Sequence, residues 1–290
     1  MVWDKYQTNS DFVHCKGFAM KFGVSISNYG KIEDPRDFIR LAKGVEDAGW
    51  DGFFLWDHIN WRGSLTNHDP WVLLSAIAAE TERVKIGPLV TPLPRRRPHK
   101  VAREALTLDH LSKGRFILGV GLGWPPKNEY GAFKEPTDIK IRAKMLDEAL
   151  EIVTGLWSGE QFSLKGDYYE LDNVTYRPTP HNKKGIPIWV GGTWPKKGPF
   201  QRAAKYNGVV PQGTGTRTKF CDMMTYVKKH RTNSEHYDWV CSTAYVSRNK
   251  RDAFVNEFQG VGATWYIESW GTESYEKQTN RVKRGPPVIP

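Results

Sequence analysis

The sequence predicts an α/β protein, a closed (β/α)8 TIM barrel with a short β-hairpin insertion between strands 4 and 5. Three observations predict it. Strand-like runs begin near residues 21, 51, 84 and 115, at intervals of 30, 33 and 31, the length of one βα unit. An amphipathic or apolar helix follows each of the first three runs, so successive right-handed crossovers build a parallel sheet. The strand ends are polar tips rich in glycine or proline, and a barrel carries its chemistry at that rim.

Lys21 to Ser27 is the first strand, and Asp34-Pro35 starts a helix with Phe38, Leu41, Ala42 and Val45 on one side, ended by Gly49. Asp51 to Trp56 is the second strand. Asp69 caps the next helix and Pro70 takes its first position, with Leu74, Ile77 and Ala78 at helical spacing. Arg83 to Leu89 is the third strand. Pro98 opens a helix keeping Val101, Ala105, Leu108 and Leu111 on one face, and Gly114 is its left-handed cap. Arg115 to Gly121 is apolar at nearly every position, as a strand covered on both faces should be. Ile139 to Leu156 is a long helix with Met145, Ala149, Ile152 and Leu156 in one stripe. Gln161 to Leu171, with a turn at Lys165-Gly166-Asp167, is the hairpin insertion. Ile186 to Val190, Gly208 to Pro211, Trp239 to Val246 and Ala263 to Glu268 supply the last strands. Helices fall near Lys197 to Tyr206, Thr218 to His230 and Arg251 to Gln259.

The 290 residues suit one barrel domain over residues 20–290. Residues 1–19 lack the basic start and apolar middle of a secretory signal and are expected to be a flexible extension, with Met20 a candidate start. No apolar run approaches the roughly 20 residues that cross a bilayer. Cys15, Cys221 and Cys241 leave one thiol unpaired under any bridging, which points to a reducing cytoplasm. With no paired cysteines and no HExxH pattern, no metal site is expected. The net charge of +10 permits attraction to anions. However, Arg95-Arg96-Arg97, Lys183-Lys184, Lys196-Lys197 and Lys228-Lys229 are dispersed and read first as solvated surface, outside any nucleic-acid module. The expected partners are a small-molecule substrate and further copies of the chain, in a homodimer or larger homo-oligomer, with neither nucleic acid nor membrane.

GWDGFFLWDH at Gly49 to His58, LDHLSKGRFILGVGLG at Leu108 to Gly123, PIWVGG at Pro187 to Gly192 and GVGATWYIES at Gly260 to Ser269 resemble the luciferase-like flavin-dependent oxidoreductase superfamily. Members of that superfamily are (β/α)8 barrels that use reduced FMN or the 8-hydroxy-5-deazaflavin coenzyme F420. The resemblance therefore implies one of these cofactors. It favours F420 hydride transfer over FMN-dependent monooxygenation with oxygen, because Asp57-His58 at the end of strand two resembles the cofactor contact and proton-transfer residue of the deazaflavin branch. A histidine there can move a proton near neutral pH, while Asp57 can fix its tautomer or bind a cofactor hydroxyl.

The resemblance also implies a non-proline cis peptide at Leu89–Val90, with Thr91 following, as a bulge behind the ring. It implies cofactor-phosphate binding by a loop at Gly191, Gly192 and Thr193, where glycines expose amides to an anion. Gly119, Gly121 and Gly123 have the spacing GxGxG with Pro125-Pro126 after it, so no dinucleotide fingerprint is present. Instead Gly121 and Gly123 let the backbone approach a ring system. Trp61, Trp124 and Trp194 are candidate walls of the substrate pocket. Trp124 stands where the sugar-phosphate dehydrogenases of this branch carry glutamate, which counts against that substrate class. Glu129, the nearest carboxylate, reads as structural. A flavin-binding barrel without catalysis is the reading from another class.

Overall fold

A computed structural model describes residues 20–61 and 65–288. The expected extension over residues 1–19, with Cys15, lies outside them. The barrel strands are β1 (Lys21–Ile26), β2 (Gly52–Leu55), β3 (Lys85–Pro88), β4 (Leu118–Gly121), β5 (Ile188–Thr193), β6 (Gly208–Gln212), β7 (Asp238–Ala244) and β8 (Trp265–Gly271). All neighbouring pairs are parallel, in the order β3-β2-β1-β8-β7-β6-β5-β4. The chain of β3 closes the ring twice over. Ile86 bridges Phe116 just ahead of β4, and beyond Leu89–Val90 the short strand Thr91–Pro92 pairs with Val120 and Gly121.

The helices are α1 (Arg36–Asp47), α2 (Pro70–Glu80), α3 (Pro98–Leu111), the short α4 (Pro126–Glu129), α5 (Ile139–Trp157), α6 (Lys197–Ala203), α7 (Arg217–His230), α8 (Arg248–Gln259) and α9 (Tyr275–Val282). Asp69 caps α2, accepting from the amides of Trp71 and Val72 at 2.8 and 3.0 Å, and Asp138 does the same for α5. Both answer the unpaired amides of a first helical turn. Between β4 and β5, Phe162–Lys165 and Glu170–Val174 pair antiparallel, and Glu148 of α5 holds their turn through the amides of Asp167, Tyr168 and Tyr169. Helix α9 has no counterpart in the sequence reading, because only Gln278 and Val282 of it are buried.

Arg115 does not start a strand as its apolar neighbours suggest. Its guanidinium is buried and donates to the carbonyls of Ala78, Thr81 and Val84, satisfying the C-terminal end of α2 and the turn that leads into β3.

The barrel interior is filled only in its lower half. Phe54, Trp189 and Trp265 pack there with ring centroids 5.3 to 6.0 Å apart, joined by Ile117, Val240 and Ile267. Such ring pairs add roughly 0.5 to 1.5 kcal/mol beyond area burial. Both indoles donate to Asp238, at 3.0 and 3.1 Å. Side chains alternate along a strand, so the inward positions one layer higher are Trp56, Gly119, Gly191, Ser242 and Ser269. Ser242 is exposed although it points into the barrel. Apart from Trp56 these positions are serines and glycines, and Leu89 and Val210 pack on the rim of the aromatic cluster below the C-terminal mouth.

Candidate active site

Three turns meet at this mouth: the one after β1, the one after β2 and the segment from Leu89 to Arg96. Asn28, fully buried after β1, fixes the backbone of His58. Its Oδ1 accepts from His58 N at 3.1 Å and its Nδ2 donates to His58 O at 2.8 Å, with Asn67 Nδ2 donating to the same carbonyl. The His58 ring meets Trp61 edge-on at 4.5 Å and Tyr29 at 5.3 Å, and Trp61 stacks on Tyr29. Its Nδ1 lies 3.2 Å from Glu129 Oε1, and no described residue bonds Nε2.

Glu129, at the end of α4, has a side chain with no exposure at all. Besides Nδ1 it accepts from the amides of Ile59 and Asn60 and from Arg95 Nη1. Burial alone would push its carboxyl up. The bonds from His58 and Ile59 and the charge of Arg95 reverse that and hold it below the usual glutamate range.

Asp57 does not touch the His58 ring. Its buried carboxylate accepts from Thr91 Oγ1 at 2.6 Å, Trp71 Nε1 at 3.3 Å, Arg95 Nη2 at 2.6 Å, and both Nε and Nη2 of Arg96. Arg95 thus joins Asp57 to Glu129, and Arg96 reaches on to Asp69 at 3.7 Å. Two carboxylates face two guanidiniums, which is how buried charge is retained.

This corrects two readings of the sequence. Arg95 is only 6% exposed and Arg96 only 20%, so these two belong to the site and not to a solvated face. Their acidic partners lie 27 or more positions away, so local charge patterning could not reveal them. Glu129, not Asp57, is the carboxylate beside the His58 ring, and it too was masked by sequence distance. Asn28, Tyr29, Asn67 and Trp71 gave no signal, although a polar residue directly after a barrel strand is the position to test first.

The Leu89–Val90 peptide is cis. Val90 leans over the neighbouring strands: a Cβ at Gly121 would lie 2.7 Å from its Cγ2, and one at Gly191 3.1 Å from its Cγ1. The glycines of β4 and β5 therefore admit Val90 rather than a ligand directly. Gly123 has φ +73°, and a Cβ there would meet Pro92 at 2.8 Å. Gly191, Gly192 and Thr193 are not a loop: they are ladder residues of β5, opposite Val210, Pro211 and Gln212. A Cβ at Gly192 would lie 2.3 Å from Pro199, so α6 packing accounts for that glycine. Trp61 joins His58, whereas Trp124 is 66% exposed. Trp194 is drawn to the helices, between Phe200 and Tyr226 with Lys197 over its ring.

The model of a known family, the luciferase-like monooxygenases, matches residues 17–286. The chain belongs to the luciferase-like monooxygenase family. One curated relative, an F420-dependent glucose-6-phosphate dehydrogenase of Amycolatopsis mediterranei (strain U-32), is 31% identical over 199 residues, 67% of this chain and 59% of that protein. The enzyme of the same name from Microbacterium testaceum (strain StLB037) is 36% identical over 181 residues, 61% of this chain and 52% of the relative. The chain thus spans between half and three fifths of the relatives it matches.

Among solved structures, an F420-dependent secondary alcohol dehydrogenase in complex with an F420-acetone adduct superposes with TM-score 0.79 at 17% identity, covering 94% of this chain and 100% of the other. The oxygenating constituent of 3,6-diketocamphane monooxygenase from Pseudomonas putida, in complex with FMN, gives 0.74 at 15% identity, with 94% and 100% covered. Both establish the barrel of this family member. Among the described residues no helix is long and apolar enough to cross a membrane, and no group of three or more His, Cys, Asp or Glu could hold a metal ion.

Proposed function

We propose that this chain is an oxidoreductase transferring a hydride between coenzyme F420 and a small organic substrate, with His58 as the proton-transfer residue. One observation carries the reading: at the unfilled end of the barrel a fixed imidazole commits Nδ1 to Glu129 and leaves Nε2 uncommitted. The F420-dependent dehydrogenases among the relatives, and the F420-dependent alcohol dehydrogenase among the structural neighbours, support F420 over FMN.

The residues present fit a flat heterocycle. The small inward positions Gly119, Gly191, Ser242 and Ser269 leave room beside Trp56, and Val90, resting over Gly121 and Gly191, offers an apolar back wall. Leu89 and Val90 would back the ring, Gly121 and Gly191 would serve it only by admitting Val90, and Asp57 would act on it only through the buried Thr91 and the arginines. When bound, the deazaflavin supplies or takes up a hydride at its ring carbon C5.

His58 Nε2 accepts the hydroxyl proton of an alcohol or returns one to a carbonyl. Tyr29, Trp56 and Trp61 shield the imidazole from water. The upper inward layer carries no charged side chain, and by the family resemblance Trp124 falls where the sugar-phosphate enzymes have a glutamate. Both favour an uncharged alcohol or carbonyl compound over a sugar phosphate. The same reading has the chain act in a reducing cytoplasm as one barrel domain from residue 20 onward, assembled as a homodimer or larger homo-oligomer.

Anaerobic mixing of the protein with oxidised F420 and a panel of secondary alcohols should bleach the deazaflavin absorbance with at least one of them. Oxygen consumption with reduced FMN and no reaction with F420 would overturn the reading in favour of the monooxygenase chemistry of the family.

A further inference from the structure

We propose that Glu129 is the positioning residue that sets the tautomer of His58, placing the ring proton on Nδ1 and presenting Nε2 as the lone pair that works. This rests on the functional reading for its catalytic consequence, while the tautomer itself does not.

The first step is chemical. A carboxylate only accepts hydrogen bonds, and the Ile59 amide and Arg95 both hold Glu129 in its ionised form. The atom of His58 that faces it must therefore be the donor, and Nδ1 is that atom, at 3.2 Å. A neutral imidazole with hydrogen on Nδ1 has its lone pair on Nε2. The second step is mechanical. The His58 backbone is clamped at N and O by Asn28 and the ring lies between Tyr29, Trp56 and Trp61, so it cannot turn to seek a different partner without giving up these contacts. The third step is elimination. Among the described residues the other charged groups near the ring are engaged elsewhere: Arg95 with both carboxylates, Arg96 with Asp57 and Asp69, and Asp57 with Thr91, Trp71 and the two arginines. Of the described charged groups, Glu129 alone reaches the imidazole.

The geometry makes an unusual demand on Glu129→Gln. The amide offers one oxygen, and both Arg95 and the Ile59 amide donate toward the Oε2 position. Against the single longer contact from the Asn60 amide at the Oε1 position, 3.4 Å, these two donors claim the oxygen, so the NH2 group faces Nδ1 and forces it to accept. The proton moves to Nε2 and the working lone pair is lost. Where a buried carboxylate plays this part for a catalytic histidine, its amide variant loses on the order of 10⁴-fold in kcat through the wrong tautomer.

The test is nitrogen NMR of the protein labelled at histidine, without any cofactor, at mildly alkaline pH. The wild-type His58 ring should show a protonated Nδ1 and a bare Nε2, and Glu129→Gln should show the reverse. In parallel, kcat for hydride transfer with F420 should fall on the order of 10²- to 10⁴-fold in Glu129→Gln while F420 affinity, read by tryptophan quenching, changes little. A wild-type ring protonated at Nε2 overturns the proposal without recourse to a variant that must fold. A variant ring unchanged in tautomer overturns it as well. Should the wild-type tautomer be as stated and the wild-type protein transfer no hydride with F420, the positioning role stands and the functional reading fails.

Discussion

His58 is anchored at its backbone by Asn28 and at its ring by Glu129, and the two anchors reach it from 30 positions before and 71 positions after it. Replacing the imidazole removes the proton acceptor without touching Val90 or the strands. His58→Ala should bind F420 within about threefold of wild type and lose on the order of 10² to 10⁴ in turnover. Fluorescence titration beside steady-state kinetics checks this, and near-native turnover would remove His58 from the chemistry. At this scale the sequence singled out the histidine that stands at the barrel mouth and not what holds it. His58, Val90 and Trp61 were legible from motif and strand position. Glu129, Arg95 and Arg96 were not, because a buried ion network is assembled by three separate turns, and its members look locally like an ordinary carboxylate and a basic surface run.

Between elements, close approach decides residue identity. A Cβ at Gly119 would lie 2.2 Å from the carbonyl oxygen of Pro88, where β3 and β4 come together behind the mouth. Backbone cannot yield as a flexible side chain can. Gly119→Ala should cost about 2 kcal/mol or more in denaturant unfolding, whereas Gly215→Ala, with nothing within 4 Å, should stay within about 0.5 kcal/mol. Equal effects would contradict the packing argument. The GxGxG run was visible in the sequence, and its purpose was not: two of its glycines admit Val90 and the Pro88 carbonyl.

Glu46 of α1 ties down the turn entering β3, accepting from the amides of Glu82, Arg83 and Val84 at 2.6 to 3.1 Å. Partial burial alone would raise its carboxyl, and these three amides outweigh that and hold it below the usual range. Its folded value is thus lower than its unfolded one. The stability it contributes is present above the ordinary glutamate value, about 4.3, and is lost as pH falls through the folded value. Glu46→Gln should therefore lose less of its urea stability than wild type between neutral pH and about pH 3.5. An identical loss in both proteins would show that the turn does not depend on this charge.

At the scale of the whole molecule, the barrel divides into a plugged end and an open one. Three aromatic rings, two of them bonded to Asp238, close the lower half, and above them the inward positions other than Trp56 are glycines and serines. The eight strands were readable from the repeat length, and their boundaries shifted by only a few residues, because hydrophobic runs and turn residues mark a parallel strand on both faces. Helix α9 was not readable, since a helix that buries only Gln278 and Val282 leaves hardly any periodic signal. The plug was not readable either: Trp189 and Trp265 lie 76 positions apart and become neighbours only when the ring closes.

The central claim, that the open mouth holds a deazaflavin over the segments of His58, Val90 and Gly191, is tested most directly by a crystal structure of the protein with oxidised F420. The account predicts the tricyclic ring against Val90, with His58 Nε2 facing the substrate side of C5. Crystals grown at saturating F420 that show the ring bound elsewhere, or the mouth without it, would contradict the claim.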